Sequence, residues 1–237
     1  MKKCREDVDT GIYNKDNELY AKLVKQLYAK FPGGVTFPPE YGDFVQNNLT
    51  QLLIRLARYK FVSRMLKKSD SVLEIGSGSG LGSILLGQHC SFITGIDVKQ
   101  TEVEEARSIN RRENVEFKVG DFFKMNLEKK YDAVIAMDVI EHMPEEKGNE
   151  LVRLMATNLK KSGMIIIGTP SLYSYPYQGK LSQASHVKCY DLDELVTMVE
   201  KYFLRTLTFS MNDEVVHTGY HKMAWYYFVL AFYPINF

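Results

Sequence analysis

Hydrophobic positions recur at two different periods along this chain. In NELYAKLVKQLYAK, residues 17–30, Leu19, Leu23 and Leu27 recur with Tyr20 and Val24 at helical spacing, which predicts an amphipathic helix. The stretch FPGGVTFPPEYGD then interrupts it with prolines and glycines. A second helix is predicted from about Asp43 to Lys67, carrying Leu49, Leu52, Leu53, Leu56, Phe61, Val62 and Leu66.

From Ser71 the rhythm becomes an alternation. Short apolar runs, SVLEIG, SFITGID, VEFKVGD, YDAVIAMD and GMIIIGTP, read as strands, and helices fit at about 81–89, 100–111, 145–160 and 191–201. Continuous apolar strands alternating with helices predict a parallel sheet covered on both faces. YFLRTLTFSMN and HKMAWYYFVLAFY then follow as two strands with no helix between them. The expected fold class is α/β, a doubly wound, seven-stranded, mostly parallel sheet with a terminal antiparallel hairpin, preceded by N-terminal helices.

Composition changes this picture little. Of the 237 residues 45% are hydrophobic and 25% charged, which suits one globular α/β domain with an appendage. The formal net charge of +1 carries no global footprint for nucleic acid. Cys4, Cys90 and Cys189 are scattered and form no CxxC pair, which fits a reducing, cytoplasmic location. The N-terminal MKKCREDVDTG lacks an apolar run behind its lysines and does not read as a signal peptide. MAWYYFVLAFYPINF is too short for a bilayer span of about 20 residues, and reads as an aromatic-rich buried strand.

The first strand runs into VLEIGSGSG, with Gly76, Gly78 and Gly80 two apart, at the sheet end where such folds bind ligands. A phosphate loop needs a lysine after its last glycine, and no lysine occurs between residues 69 and 98. The dinucleotide pattern G-x-G-x-x-G meets Leu81, Ser83 or Leu85 where its third glycine belongs, depending on the start.

Glu74 followed by Gly76, Gly78 and Gly80 resembles the first motif of class I S-adenosylmethionine (SAM)-dependent methyltransferases. The resemblance continues through GIDV, VGDFF, YDAVIAMDVIEHMP and LKKSGMIIIGTPS, over about residues 70–235. It implies SAM as cofactor, held by Glu74, Gly76, Ser77, Gly78, Gly80, Asp97, Val98, Gly120, Asp121, Phe122, Met137 and Asp138. Asp97 would take the ribose hydroxyls, Asp121 and Phe122 the adenine, and Glu74 and Asp138 would lie near the amino-acid end. Carboxylates suit a ligand that carries a sulfonium and an ammonium and no phosphate. On this reading residues 1–68 form a helical lid on the acceptor side, and residues 69–237 the methyltransferase domain.

A hydroxyl acceptor needs a base, or a metal that lowers its pKa. The candidates are Asp138, Glu141, His142 and His186, with His217 further along. The spacing of Asp138, Glu141 and His142 with distant His186 resembles the metal-binding constellation of the ubiquinone-pathway O-methyltransferases and the small-RNA 2′-O-methyltransferases. Carried over, these four would hold Mg²⁺, Mn²⁺ or Fe²⁺. The same residues also occur in metal-free relatives, where they close a loop.

The expected acceptor is a small molecule. The insert after the fifth strand carries Tyr173, Tyr175, Tyr177 and Tyr190, which shape a lid or face a polar ring. Arg55, Arg58, Lys60, Arg64, Lys67 and Lys68 form either a solvated helix face or a reader of a phosphorylated or nucleotide-activated acceptor. GTPS, SHVKCYDLDEL and FSMNDEVVHTG resemble methyltransferases of bacterial surface-polysaccharide synthesis, which implies O-methylation of a glycan precursor or its phosphoryl decoration. An aromatic hydroxyl of ubiquinone type and a nitrogen acceptor stay open. So do an NAD-binding oxidoreductase and a non-catalytic partner protein, whereas nucleic acid is disfavoured as a partner.

Overall fold

A computed structural model describes residues 17–235. Cys4 and the rest of the N-terminal stretch lie outside the described residues, as do Asn236 and Phe237. The chain divides into two compact units, residues 1–37 and 38–237. The first contains α1 (Asn17–Lys30), whose Leu19, Tyr20, Leu23, Leu27 and Tyr28 are exposed.

The second unit begins with α2 (Pro39–Asn47) and α3 (Leu49–Met65). Within this unit α3 packs on the sheet through Tyr59 and Val62. The single helix expected from Asp43 to Lys67 is two helices. Pro39 opens α2 at a position that tolerates its missing N–H, and Asn48 breaks the run by capping α3, its side chain accepting from Gln51 N at 3.2 Å.

The alternating part follows as β1 (Ser71–Ile75), α4 (Leu81–Leu86), β2 (Phe92–Asp97), α5 (Gln100–Ile109), β3 (Val115–Val119), β4 (Tyr131–Met137), α6 (Glu145–Thr157) and β5 (Leu159–Pro170). An insert with the short helix α7 (Lys180–Ser185) leads to α8 (Leu192–Glu200). Strands β6 (Phe203–Asn212), β7 (Val215–His217) and β8 (Tyr226–Pro234) close the unit.

The sheet order is β3-β2-β1-β4-β5-β8-β6-β7, parallel from β3 to β5 and antiparallel beyond. The seven expected strands are joined by an eighth, three-residue edge strand, β7, which pairs with the end of β6. Side chains alternate across the sheet. Val134, Ala136, Ile165, Ile167, Tyr227 and Val229 enter one apolar layer, while Ala133, Ile135, Met164, Ile166, Phe228 and Leu230 enter the other. Burial on both faces is why these strands read as unbroken apolar runs.

Candidate active site

The site lies at the carboxyl ends of β1, β2, β4 and β5. Gly76, Gly78 and Gly80 all have left-handed backbone, with φ of 71°, 50° and 86°. Two of them are packed from within. A Cβ on Gly76 would stand 2.4 Å from Val139 Cγ2, and one on Gly80 would stand 2.5 Å from Ala106 Cβ. Gly78 is different, since a Cβ there would find nothing nearer than Glu102 Oε2 at 3.8 Å. Of the three, Gly78 is thus the place where the backbone is open to another molecule.

Asp97 laces the strand ends together. Its carboxylate accepts from Gly78 N and from Lys99 N, both at 2.9 Å, and its carbonyl accepts from Gly120 N at 2.9 Å. Val98 beside it is 65% exposed. Asp121 accepts from Phe123 N at 3.0 Å and pairs with Lys124 at 2.9 Å, and the Lys124 bond holds its carboxyl below the usual carboxylate range. Phe122 is buried in the core, and Met137 is buried against Gly168.

Glu74 sits behind the loop, fully buried, on the side of α3 and α4. Ser83 Oγ donates to it, and burial lifts its pKa to about 7 against the opposing hydrogen bonds from Ser83 and Tyr59. Ser77 is also buried. The acid that introduces the glycine motif is thus tied to α3 and α4.

Asp138 follows β4 with φ of 54°, a left-handed conformation that Asp adopts more readily than most residues. Arg58 Nη1 donates to both its carboxylate oxygens, at 3.0 and 2.9 Å, and the guanidinium lies 3.9 Å from the centre of the Tyr226 ring.

Glu141, His142 and His186 converge, their ligand atoms all lying within 4.8 Å of one another. Glu141 is fully buried and accepts from Thr169 Oγ1 at 3.0 Å, and its Oε1 is unpartnered. Burial, reinforced by Asp138, pushes its pKa up to about 8. The Glu141 carbonyl accepts from Val187 N and Lys188 N, which anchors the chain beyond α7. His142 Nδ1 lies 3.0 Å from Ser185 O; a carbonyl can only accept, so neutral His142 keeps its lone pair on Nε2. The two imidazoles stand 5.1 Å apart, edge to face. Burial first, and then His142, lowers the pKa of His186, whose Nδ1 is buried and unpartnered.

Three of the four expected metal ligands are thus together, and the fourth is not. Asp138 is engaged by Arg58 and stands outside the cluster. His217 accepts at Nδ1 from Gly219 N at 3.0 Å and its Nε2 lies 3.3 Å from Asn212 Nδ2, so it organises the end of the β6–β7 hairpin.

A family model described as a methyltransferase domain matches residues 66–218, from the end of α3 through β7. The chain belongs to the methyltransferase-domain family, in the class I SAM-dependent group. Among curated members, the ubiquinone biosynthesis O-methyltransferase of Coxiella burnetii is 24% identical over 121 residues, 49% of this chain and 51% of that protein. The chloroplastic magnesium protoporphyrin IX methyltransferase of Arabidopsis thaliana is 30% identical over 167 residues, 65% of this chain and 53% of that protein. The chain spans about half the length of these methyltransferases. Solved structures share the fold. A SAM-dependent methyltransferase from Thermotoga maritima covers 87% of this chain and 98% of its own, at TM-score 0.65 and 16% identity. The N-methyltransferase NodS from Bradyrhizobium japonicum, in complex with S-adenosyl-L-homocysteine (SAH), covers 79% and 86%, at TM-score 0.52 and 14% identity.

Within this methyltransferase unit, two side chains at the site escaped sequence reasoning. Arg58 reads as one member of a basic helix face, but it shares its face with Ile54 and Val62, four residues to either side, and so turns inward. Arg55 pairs with Glu40 at 2.9 Å, so the cations of α3 do not act as one patch. Thr169 sits in an apolar strand, and nothing local to it signals that it meets Glu141. No helix among the described residues is long and apolar enough to cross a membrane.

Proposed function

We propose that the chain transfers the methyl group of SAM to an oxygen of a small polar acceptor, of the kind used as a surface-polysaccharide precursor. The observation that carries this reading is the pairing of an open, left-handed Gly78, tied to Asp97, with a cluster of buried Glu141, half-buried His186 and exposed His142 at the same end of the sheet. The donor set fits a cationic ligand without phosphate: the loop offers backbone and carboxylates, and no lysine lies within it. Asp97 with Gly78 and Val98 would hold the ribose, Asp121 with Gly120 the adenine end, and Gly76 with Asp138 the amino-acid end.

When bound, SAM supplies an electrophilic methyl on a sulfonium. The residues on the other side of the site prepare the nucleophile. Burial and its neighbour favour neutral His186, whose imidazole would accept the hydroxyl proton as the methyl passes from the sulfonium to the acceptor oxygen and SAH departs. His142 is oriented by Ser185 O, and Glu141, braced by Thr169, fixes the chain that carries His186. Water must be kept from the site, and the insert after β5, whose Ser185 O meets His142, would do so.

A second reading rests on the unpartnered Glu141 Oε1 and His186 Nδ1, because buried ligand atoms without partners suit a divalent ion. Glu141, His142 and His186 would hold Mg²⁺, Mn²⁺ or Fe²⁺, which would lower the acceptor's pKa in place of a base. Full activity after exhaustive chelation removes this reading.

The competing acceptor is an aromatic hydroxyl, which the ubiquinone-biosynthesis relatives favour. Incubation with SAM and separate pools of nucleotide sugars and catechols, read by mass spectrometry, decides between them. A methyl gained only by catechols overturns the sugar reading, and SAH stabilisation of the fold with no methyl gained on any acceptor overturns both.

A further inference from the structure

A cleft of about 330 Å³ opens between the insert that follows β5 and the loop that precedes β8. Tyr177 and Trp225 both line it, paired with ring centroids 6.1 Å apart and planes tilted by 46°. Tyr177 is 74% exposed and Trp225 54%, so both rings are open to a molecule in the cleft. Tyr173, Ser174, Lys222, Met223 and Ala224 complete the lining, and Lys222 makes no salt bridge among the described residues.

The frame beneath these rings is tight. Ser171 N donates to Trp225 O at 2.9 Å, Ser171 Oγ donates to Ala224 O, and Trp225 N donates to Asn212 Oδ1 at 3.0 Å. Tyr173 is held by its hydroxyl, which donates to Asp191 at 2.7 Å. Ser171 lies two residues beyond Thr169, the partner of Glu141, so the cleft and the catalytic cluster hang from the end of one strand.

We propose that this cleft binds a pyranose ring bearing a carboxylate or a phosphate, as the docking group of the acceptor. The proposal rests on the methyl-transfer reading and names its substrate class. A pyranose presents C–H groups on its faces and hydroxyls on its rim, which matches two aromatic faces with polar tips around them. The Lys222 ammonium supplies the complement to an anion, and its flexible stem and point charge accept either carboxylate or phosphate. A neutral aromatic acceptor would use the rings and leave Lys222 without a role.

Trp225 is the only tryptophan of the chain, so intrinsic fluorescence reports on the cleft directly. The full chain is titrated with glucuronate, glucose 1-phosphate, glucose and inorganic phosphate, with SAH binding followed separately by calorimetry. A saturable change is expected with glucuronate or glucose 1-phosphate, the stronger of the two naming the anion, and glucose is expected to bind about tenfold more weakly. Lys222→Ala should bring the anionic sugars to the level of glucose, and Tyr177→Ala should remove saturation while melting temperature and SAH binding hold. The proposal is overturned if no sugar gives a saturable change, if inorganic phosphate alone reproduces the change, or if Lys222→Ala leaves the preference intact. Sugar binding here without SAH binding would instead refute the methyl-transfer reading and leave the cleft assignment standing.

Discussion

Arg58 and Asp138, 80 residues apart in the chain, meet where α3 crosses the end of β4, one guanidinium nitrogen donating to both carboxylate oxygens. The pair fixes a residue in left-handed backbone at the mouth of the candidate SAM site. Arg58→Ala should destabilise the protein by about 2 kcal/mol, below the range for a fully buried pair because the Asp138 side chain is 28% exposed. Denaturant unfolding of Arg58→Ala, Asp138→Asn and the double variant checks this, with a coupling of about 1 kcal/mol or more expected. Strict additivity would show that the contact carries no energy.

The three glycines of the loop should respond differently to one methyl group. Gly80→Ala places a Cβ 2.5 Å from Ala106 and 2.7 Å from Phe117 Cζ in left-handed backbone, so a loss of about 3 kcal/mol or more is expected. Gly78→Ala meets open space and should cost about 1–2 kcal/mol, from backbone strain alone. Its main effect should be on SAH affinity, measured by calorimetry. Equal stability losses at both positions would contradict the distinction.

Stability should fall as pH rises through the weakly acidic range. Folding raises the Glu74 pKa from 4.5 to about 7, so the folded state binds the proton more tightly. That stabilisation is complete below pH 4.5 and is lost as pH climbs to about 7, an effect of about 3 kcal/mol for this fully buried group. Glu141, raised to about 8, tilts the curve the same way. Unfolding curves of Glu74→Gln against the parent between those limits check it, and the variant should show the flatter profile.

Substitutions in the cluster should separate binding from chemistry. Glu141→Gln and His186→Ala should each lower turnover by about 10²–10⁴-fold while SAH affinity stays near that of the parent. Thr169→Val should cost less, since it removes a brace and no reacting group. A His186→Ala variant with unchanged turnover would move the base to His142.

Much of the candidate site is legible in the amino-acid sequence. Gly76, Gly78, Gly80, Asp97 and Asp121 are local signals, because each is placed by the end of its own strand and needs no distant partner to be interpretable. Glu74 is a local signal too, but its direction is not. Strand residues alternate between faces, and only the packing of Tyr59 and Ser83 on that face shows that the carboxyl is sealed beneath the loop. Asp138 reads as a metal ligand by spacing, but the competition from Arg58 depends on where α3 lies.

The chain by itself determined the alternation of strands and helices, the antiparallel finish and the glycine loop at the end of the first strand, because hydrophobic period and glycine spacing are properties of neighbouring residues. The tertiary structure decided the break at Asn48, the edge strand β7, the embrace of Asp138 by Arg58 and the convergence of Glu141, His142 and His186. It also set Tyr177 against Trp225, 48 positions later. Each of these is a contact between segments far apart in sequence, and the energy that selects one such contact over another belongs to the packed core and to no local stretch.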